Sequence, residues 1–341
     1  MSWTENRTKN LFLAVLIIFS LLFISRFSSA KPLTLKLVFE TTIDHSYGRG
    51  GLAFKEYVEK KTNNGIVVEL HGAGQLGKSG EDIQQGVMLG TIECGITSTP
   101  IALLNPIQKI FDLPFLFPTR QDAWATLDGP VGQKVASKLE SKGVKTLSYW
   151  EDGFRAVTNN VRPINRLEDF EGLKIRVPYS PQRIETFKLL GAKPTAMPFG
   201  EVFSALEQGV IDGQENPLAV VSKTSFYDVQ KYVSITNHVY SPATLLINLN
   251  FWNRLSKEQQ DIVAEGARIG QKVCRDFNAS SDLFLLDELK EKGMEVSLVA
   301  PEEIKRMNDK LKPIWDLFVS EEGEEAKELL DEVVLFLSLT H

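Results

Sequence analysis

From Leu33 onward, short apolar stretches alternate with stretches of helical periodicity, and this order constrains the fold more than any other feature of the chain. Leu33, Leu35, Leu37 and Phe39 recur every second residue, the pattern of a strand with one buried face. A helix is expected over 49–61, broken by Asn63-Asn64-Gly65, and a second strand over Ile66–Leu70. A Gly-rich loop at 72–80, a helix over 81–89 and a strand over Ile92–Thr97 follow. Further on, the pattern predicts a helix over 121–142 and strands over Val144–Tyr149 and 173–177. Ser180-Pro181 opens a helix that Gly191 ends. A helix over 201–208 precedes a short strand at Val210-Ile211, which runs into a loop at 212–217. Ser256 and Gln259 form a capping box for a long helix reaching about Gly293. Two more helices close the chain, with Val333–Leu339 as the buried face of the last. Such alternation predicts an α/β fold, a parallel or mixed sheet flanked by helices. No repeat or Pro/Ser linker divides the chain, so it is expected to cross between its halves more than once.

The N-terminus does not belong to this pattern. Leu11–Ile24 is an apolar run broken only by Ser20, preceded by Arg7 and Lys9 and followed by Ser28-Ser29-Ala30. These are the three regions of a secretory signal peptide, with the cut expected after Ala30. The run is short for a bilayer span, which takes about 20 residues. Its loss leaves 311 residues and changes the net charge from −6 to −8. An acidic chain of this kind argues against nucleic acid as partner. Two cysteines, Cys94 and Cys274, exclude a disulfide scaffold, and export permits a bridge between them as readily as two buried thiols. The four histidines form no i,i+4 metal pair, so no metal or cofactor is expected.

Gly72–Ser79 matches the phosphate-loop pattern G-x-x-x-x-G-K-[ST] and also contains G-x-G-x-x-G, between a strand and a helix. This is the basis of an alternative reading, a nucleotide- or dinucleotide-binding enzyme. Glu81 and Asp82 oppose it, because two carboxylates in the first helical turn would repel a phosphate. No strand ending in Asp supplies a magnesium ligand, and an exported chain meets no nucleotide pool. A turn that needs glycines accounts for the motif.

Four other segments point to a small polar ligand. In Gly172–Pro178, Leu173, Ile175 and Val177 share one strand face and Lys174 and Arg176 the other. Arg176 thus stands near a strand's C-terminal end, where open α/β sheets place ligands. From spacing alone, a solvated arginine on an edge strand is the commoner reading. In Asp212–Pro217, the proline restricts the backbone of Asn216 and so aims its amide. Trp150–Arg155 follows a strand and puts an aromatic ring and Arg155 near its end. Phe199 precedes a helix and is placed to cover a cleft.

Gly-Gln-Leu-Gly at 74–77, Phe-Asp-Leu-Pro-Phe-Leu-Phe at 111–117, Gly-Leu-Lys-Ile-Arg-Val-Pro at 172–178 and Asp-Gly-Gln-Glu-Asn-Pro at 212–217 occur in that order. Together they resemble the extracytoplasmic solute-binding proteins of TRAP (tripartite ATP-independent periplasmic) transporters, over about residues 33–320. The resemblance implies a two-lobed clam-shell closing on one small organic acid in the periplasm, with no catalytic residue. It implies lobe I from 31–152 plus 242–281 and lobe II from 153–241 plus 282–341. It also implies Arg176 as the grip on the ligand carboxylate, with Arg155, Asn216 and Phe199 beside it. The partners implied are a small and a large membrane permease subunit, with the protein a monomer; a module feeding a sensor kinase is an alternative role. Asp44-His45-Ser46 carries Ser where the family often has Pro, and Lys78 stands where an acidic or small residue is common. His45, Lys78, Glu81 and Trp150 complete the candidate contacts, Lys78 for a second anionic group and Glu81 or His45 for sugar hydroxyls.

Overall fold

The computed structural model describes residues 31–340; the leader and its cut after Ala30 lie outside them. Ten strands build two mixed sheets that share one strand. β1 (Leu33–Val38) lies between parallel β2 (Ile66–His71) and β3 (Cys94–Thr97), followed by β9 (Tyr240–Asn248) and β4 (Val144–Asn159). β4 then passes into the second sheet, between β7 (Gly213–Pro217) and β8 (Tyr232–Ile235). β5 (Lys174–Val177) and β6 (Lys193–Ala196) extend that sheet on one side and β10 (Glu295–Leu298) on the other. The fold class is the α/β arrangement that the alternation predicts.

β4 is longer than the periodicity indicates. It pairs with β9 as far as Phe154 and with β7 from Arg155. The change happens at a register shift between Glu151 and Gly153, where Gly153 takes φ +124°, a conformation open mainly to glycine. Pro242, which lacks an N–H, sits opposite Glu151 at this irregularity. Trp150–Arg155 therefore lies within a strand and not beyond one.

Asp212–Pro217 is likewise no loop. Gly213–Pro217 is the strand, and Val210-Ile211 belong to the turn before it. The expected 121–142 helix is divided at Gly129-Pro130 into Arg120–Asp128, Pro130–Ser137 and a 3₁₀ turn. Val333 is buried in the last helix, Glu324–Thr340, but Leu335 and Leu339 face outward, so 333–339 is not a single buried face.

Helix Lys257–Glu291 carries the Ser256/Gln259 capping box. Its first half packs Val263, Ala267 and Cys274 into the core beneath the first sheet, and Leu285 and Leu289 join the core of the second. Cys94 and Cys274 are both free and buried. The long helix and β4 thus link both sheets and place their facing ends around one cleft.

Candidate functional site

A cleft lies between the two sheets. On one side stand Glu40, just beyond β1, Glu81 in the first turn of helix Gly80–Leu89, and Ser98-Thr99 beyond β3. On the other stand Arg176 of β5, Asn216 of β7 and Phe199. Asp152 and Arg155, on the strand common to both sheets, form the floor. The walls approach closely: Lys223 Nζ lies 3.9 Å from Asp44 Oδ2, and a Cβ on Gly200 would lie 3.1 Å from the Lys78 carbonyl. The cleft is therefore closed.

Its two arginines differ in kind. Arg155 is fully engaged: Nε donates to Glu215, Nη1 to Asp152 Oδ2 at 2.8 Å, and Nη2 to the Asn216 Oδ1 at 2.9 Å. Burial alone would lower its pKa, but Glu215 and Asp152 outweigh burial and raise it. Glu215 is shared with Arg183 at 2.9 Å and with His238 Nε2 at 3.2 Å. Burial opposes its ionisation, yet Arg155, Arg183 and His238 hold its pKa well below the carboxylate range. Arg183 also reaches Asp112 at 2.7 Å, which gives the Phe111–Phe117 motif a structural task beneath the cleft. This network satisfies nearly all its charges internally.

Arg176 has no such partner. It is 3% exposed, and both Nε and Nη2 donate to one acceptor, the Met197 carbonyl, at 3.0 and 2.6 Å. Among the described residues no carboxylate forms an ion pair with it. Burial pushes its pKa down to about 10, so it keeps its charge at neutral pH.

The wall facing it is acidic. Glu40 has no hydrogen-bond partner among the described residues, and burial with Asp152 and Glu81 nearby pushes it up to about 8. Asp152 accepts from Tyr47 Oη at 2.9 Å and Ser98 Oγ at 3.3 Å, besides Arg155. Burial raises its pKa, against the pull of Arg155. Asn216 accepts from Arg155 and donates to Gln214, which holds its amide in place. Phe199 is braced edge-on by Phe226, with ring centroids 6.2 Å apart.

The structure brings Arg176, Arg155, Asn216, Phe199 and Glu81 to the cavity and leaves three candidates outside it. Trp150 is fully buried in the first sheet's core, its Nε1 bonded to Ser148 Oγ at 2.9 Å and the Ala267 carbonyl at 3.1 Å. Because β4 continues through Gly153, its alternation turns Trp150 into this core. His45 is buried as the N-cap of helix Ser46–Lys61, accepting from the Tyr47 N–H, and burial pushes it down to about 3. Lys78 is exposed, and its N–H caps onto Asp82 at 3.1 Å. Ser79 caps the same helix through the Asp82 N–H, so two of the N–H groups that a phosphate loop would offer are met by the chain's own side chains. Glu40 and Asp152 are the acidic cavity residues absent from the sequence candidates, as are the neutral Ser98 and Thr99. Glu40 could have been noticed as the first polar residue beyond a strand's C-terminal end. Among the described residues no group of three His, Cys, Asp or Glu side chains could hold a metal.

Residues 40–322 match the family described as bacterial extracellular solute-binding protein, family 7. The 2,3-diketo-L-gulonate-binding periplasmic protein YiaO of Escherichia coli (strain K12) is 36% identical over 310 residues, 90% of this chain and 94% of that one. A crystal structure of the sugar acid binding protein of Advenella mimigardefordensis, in complex with galactonate, superposes with a TM-score of 0.86 at 35% identity, over 90% of this chain and 100% of that one. A TRAP periplasmic solute-binding protein from Haemophilus influenzae with bound L-gulonate gives 0.85 at 32% identity, over 89% and 99%.

Proposed function

The chain belongs to family 7 of the bacterial extracellular solute-binding proteins, the periplasmic receptors of TRAP transporters, and on that premise we propose that it captures a polyhydroxylated monocarboxylic acid of the aldonate or uronate kind. Members of this family are solute-binding proteins, not enzymes; they bind small acids, act in the periplasm and serve TRAP membrane permeases.

One observation carries the reading: a buried guanidinium, that of Arg176, in a closed cleft with no carboxylate paired to it among the described residues. An unpaired buried charge is costly. Arg176 offers a planar fork to the two oxygens of a ligand carboxylate, and the anion removes that cost. Excluding water on closure strengthens the pair. Arg155, neutralised by Glu215 and Asp152, serves to fix Asn216 and the floor. The opposite wall supports hydroxyls at the distal end of the ligand, since Glu40, Glu81, Ser98 and Thr99 are acceptors or can donate to an –OH. It disfavours a dicarboxylate, because Lys78, the cation that would have met a second anion, does not line the cavity.

In this reading the leader is cut after Ala30. The lobes are 31–152 plus 242–281 and 153–241 plus 282–341, closing about β4, β9 and the long helix. Binding favours the closed state, and the closed protein, as a monomer, presents both lobes to the small and large permease subunits. A thermal-shift screen of aldonates, uronates, aromatic acids, keto acids and C4-dicarboxylates tests it. Stabilisation by an aldonate or uronate is expected; none with any of these, or stabilisation by dicarboxylates alone, rejects the reading.

A further inference from the structure

Glu40 is set apart from the other acids of the cleft. Asp152 has Tyr47, Ser98 and Arg155 as partners, and Glu215 has Arg155, Arg183 and His238. Among the described residues Glu40 has none, although it lines the same cavity as Arg176, which forms no ion pair there. The groups facing it are Asp152 and Arg155 from β4, Glu81 from helix Gly80–Leu89, Arg176 from β5 and Tyr47 from helix Ser46–Lys61. Two are carboxylates, and of the two arginines one is already neutralised by Glu215 and Asp152. Once a ligand carboxylate neutralises Arg176 as well, little positive charge remains to hold Glu40 ionised.

Resting on the proposed capture of a hydroxylated acid, we propose that Glu40 determines the ligand class of this cleft by acting as a neutral carboxylic acid. On closure a proton passes from solvent to a Glu40 carboxyl oxygen. The resulting O–H donates to a ligand hydroxyl while the other oxygen accepts, and no other bond is made or broken. A protonated acid in an apolar or anionic setting is an established hydrogen-bond donor. A second ligand carboxylate would meet Glu81 and Asp152 there without a cation. An ammonium or amidinium tail would have the opposite linkage, keeping Glu40 ionised.

The sign follows from which state binds the proton. In the open cleft Glu40 is solvated and titrates near the ordinary carboxylate range; in the closed cleft burial, Asp152 and Glu81 push it up to about 8. Affinity is therefore greatest at low pH and falls as pH rises between these two values, by up to about tenfold per unit.

The test is calorimetric titration of the mature chain with galactonate, gulonate and galacturonate, from pH 5.5 to 9, in phosphate and in Tris, whose ionisation enthalpies differ. A net uptake of up to about one proton per ligand near pH 7 is expected. Glu40→Gln, an isostere of the protonated acid, should abolish the uptake and flatten the pH profile. Glu81→Gln should keep the fall but move its upper end to lower pH. Thermal melting shows that each variant is folded. Proton-neutral binding with a flat wild-type profile overturns the role of Glu40 while leaving carboxylate capture standing. Proton release on binding overturns it too. Failure of all three acids to bind rejects the capture reading beneath it, and the role of Glu40 with it.

Discussion

Glu215 holds Arg155 through both carboxylate oxygens, so the guanidinium on the floor of the cleft is already neutralised by the protein. Arg176 stands at the same cavity, and among the described residues its partner is a backbone carbonyl, that of Met197. Two arginines that look equivalent as cleft cations thus have different tasks. One is neutralised within the protein, and in the proposed reading the other takes the ligand's anion.

This difference predicts opposite effects on the ligand-free protein. Arg155→Ala leaves Glu215 and Asp152 buried without their main cation and should cost about 3–5 kcal/mol. Arg176→Gln removes an unpaired buried charge, and its ligand-free melting temperature should be no lower than that of the wild type. Melting curves without ligand check both; similar losses in the two variants would contradict the division.

Trp150 gives a second prediction, through its neighbours. A Cβ added at Gly270 would lie 2.4 Å from the indole ring and 2.8 Å from the Gly50 carbonyl. Gly270→Ala should destabilise by about 1–3 kcal/mol through overpacking. Ligand affinity should be nearly unchanged, since the ring faces the core. A variant as stable as the wild type, or one that chiefly loses affinity, would return Trp150 to the list of ligand contacts.

The buried histidines set the acid limb of stability. Burial holds His45 down to about 3 and lowers His238, despite Glu215. Between pH 6.5 and their folded values the unfolded chain binds protons that the native protein refuses. Each histidine should therefore contribute a loss of stability as pH drops below about 6.5, by up to about 1.4 kcal/mol per unit, against the opposite contribution of Glu40, whose raised value favours the folded state as pH falls from about 8. His45→Asn retains a side-chain N-cap acceptor. Urea unfolding at pH 4–7 should show a shallower slope for it; an unchanged slope would contradict the assignment.

How much of this was legible before the structure depends on where each residue's partners come from. Arg176 could be found because its own strand announces it: Ile175 and Val177 are apolar and buried, and alternation puts Arg176 on the other face. β7 could not, because Gln214, Glu215 and Asn216 read as turn formers. Their partners, Thr158, Arg155, Arg183 and His238, lie far along the chain, and only those bonds make a polar strand tolerable in a core. The Trp150 misreading has the same origin. Nothing local shows that β4 runs on through Gly153 into a second sheet. The acidic character of the Glu40 wall is likewise a property of three distant segments brought together.

The Gly72–Ser79 loop yields a plain negative prediction. Its helix N-terminus is occupied by Ser79, Glu81 and Asp82. ATP with magnesium, or NAD, should leave the melting temperature unchanged; a clear rise would reopen the nucleotide reading.

In the proposed function Arg176 grips the carboxylate of the captured acid. Calorimetric titration of the wild type and Arg176→Ala with the acid that emerges from the thermal-shift screen tests it most directly. A loss of about 3–5 kcal/mol of binding free energy in a variant that still folds is the predicted result. Wild-type affinity in that variant would contradict the account.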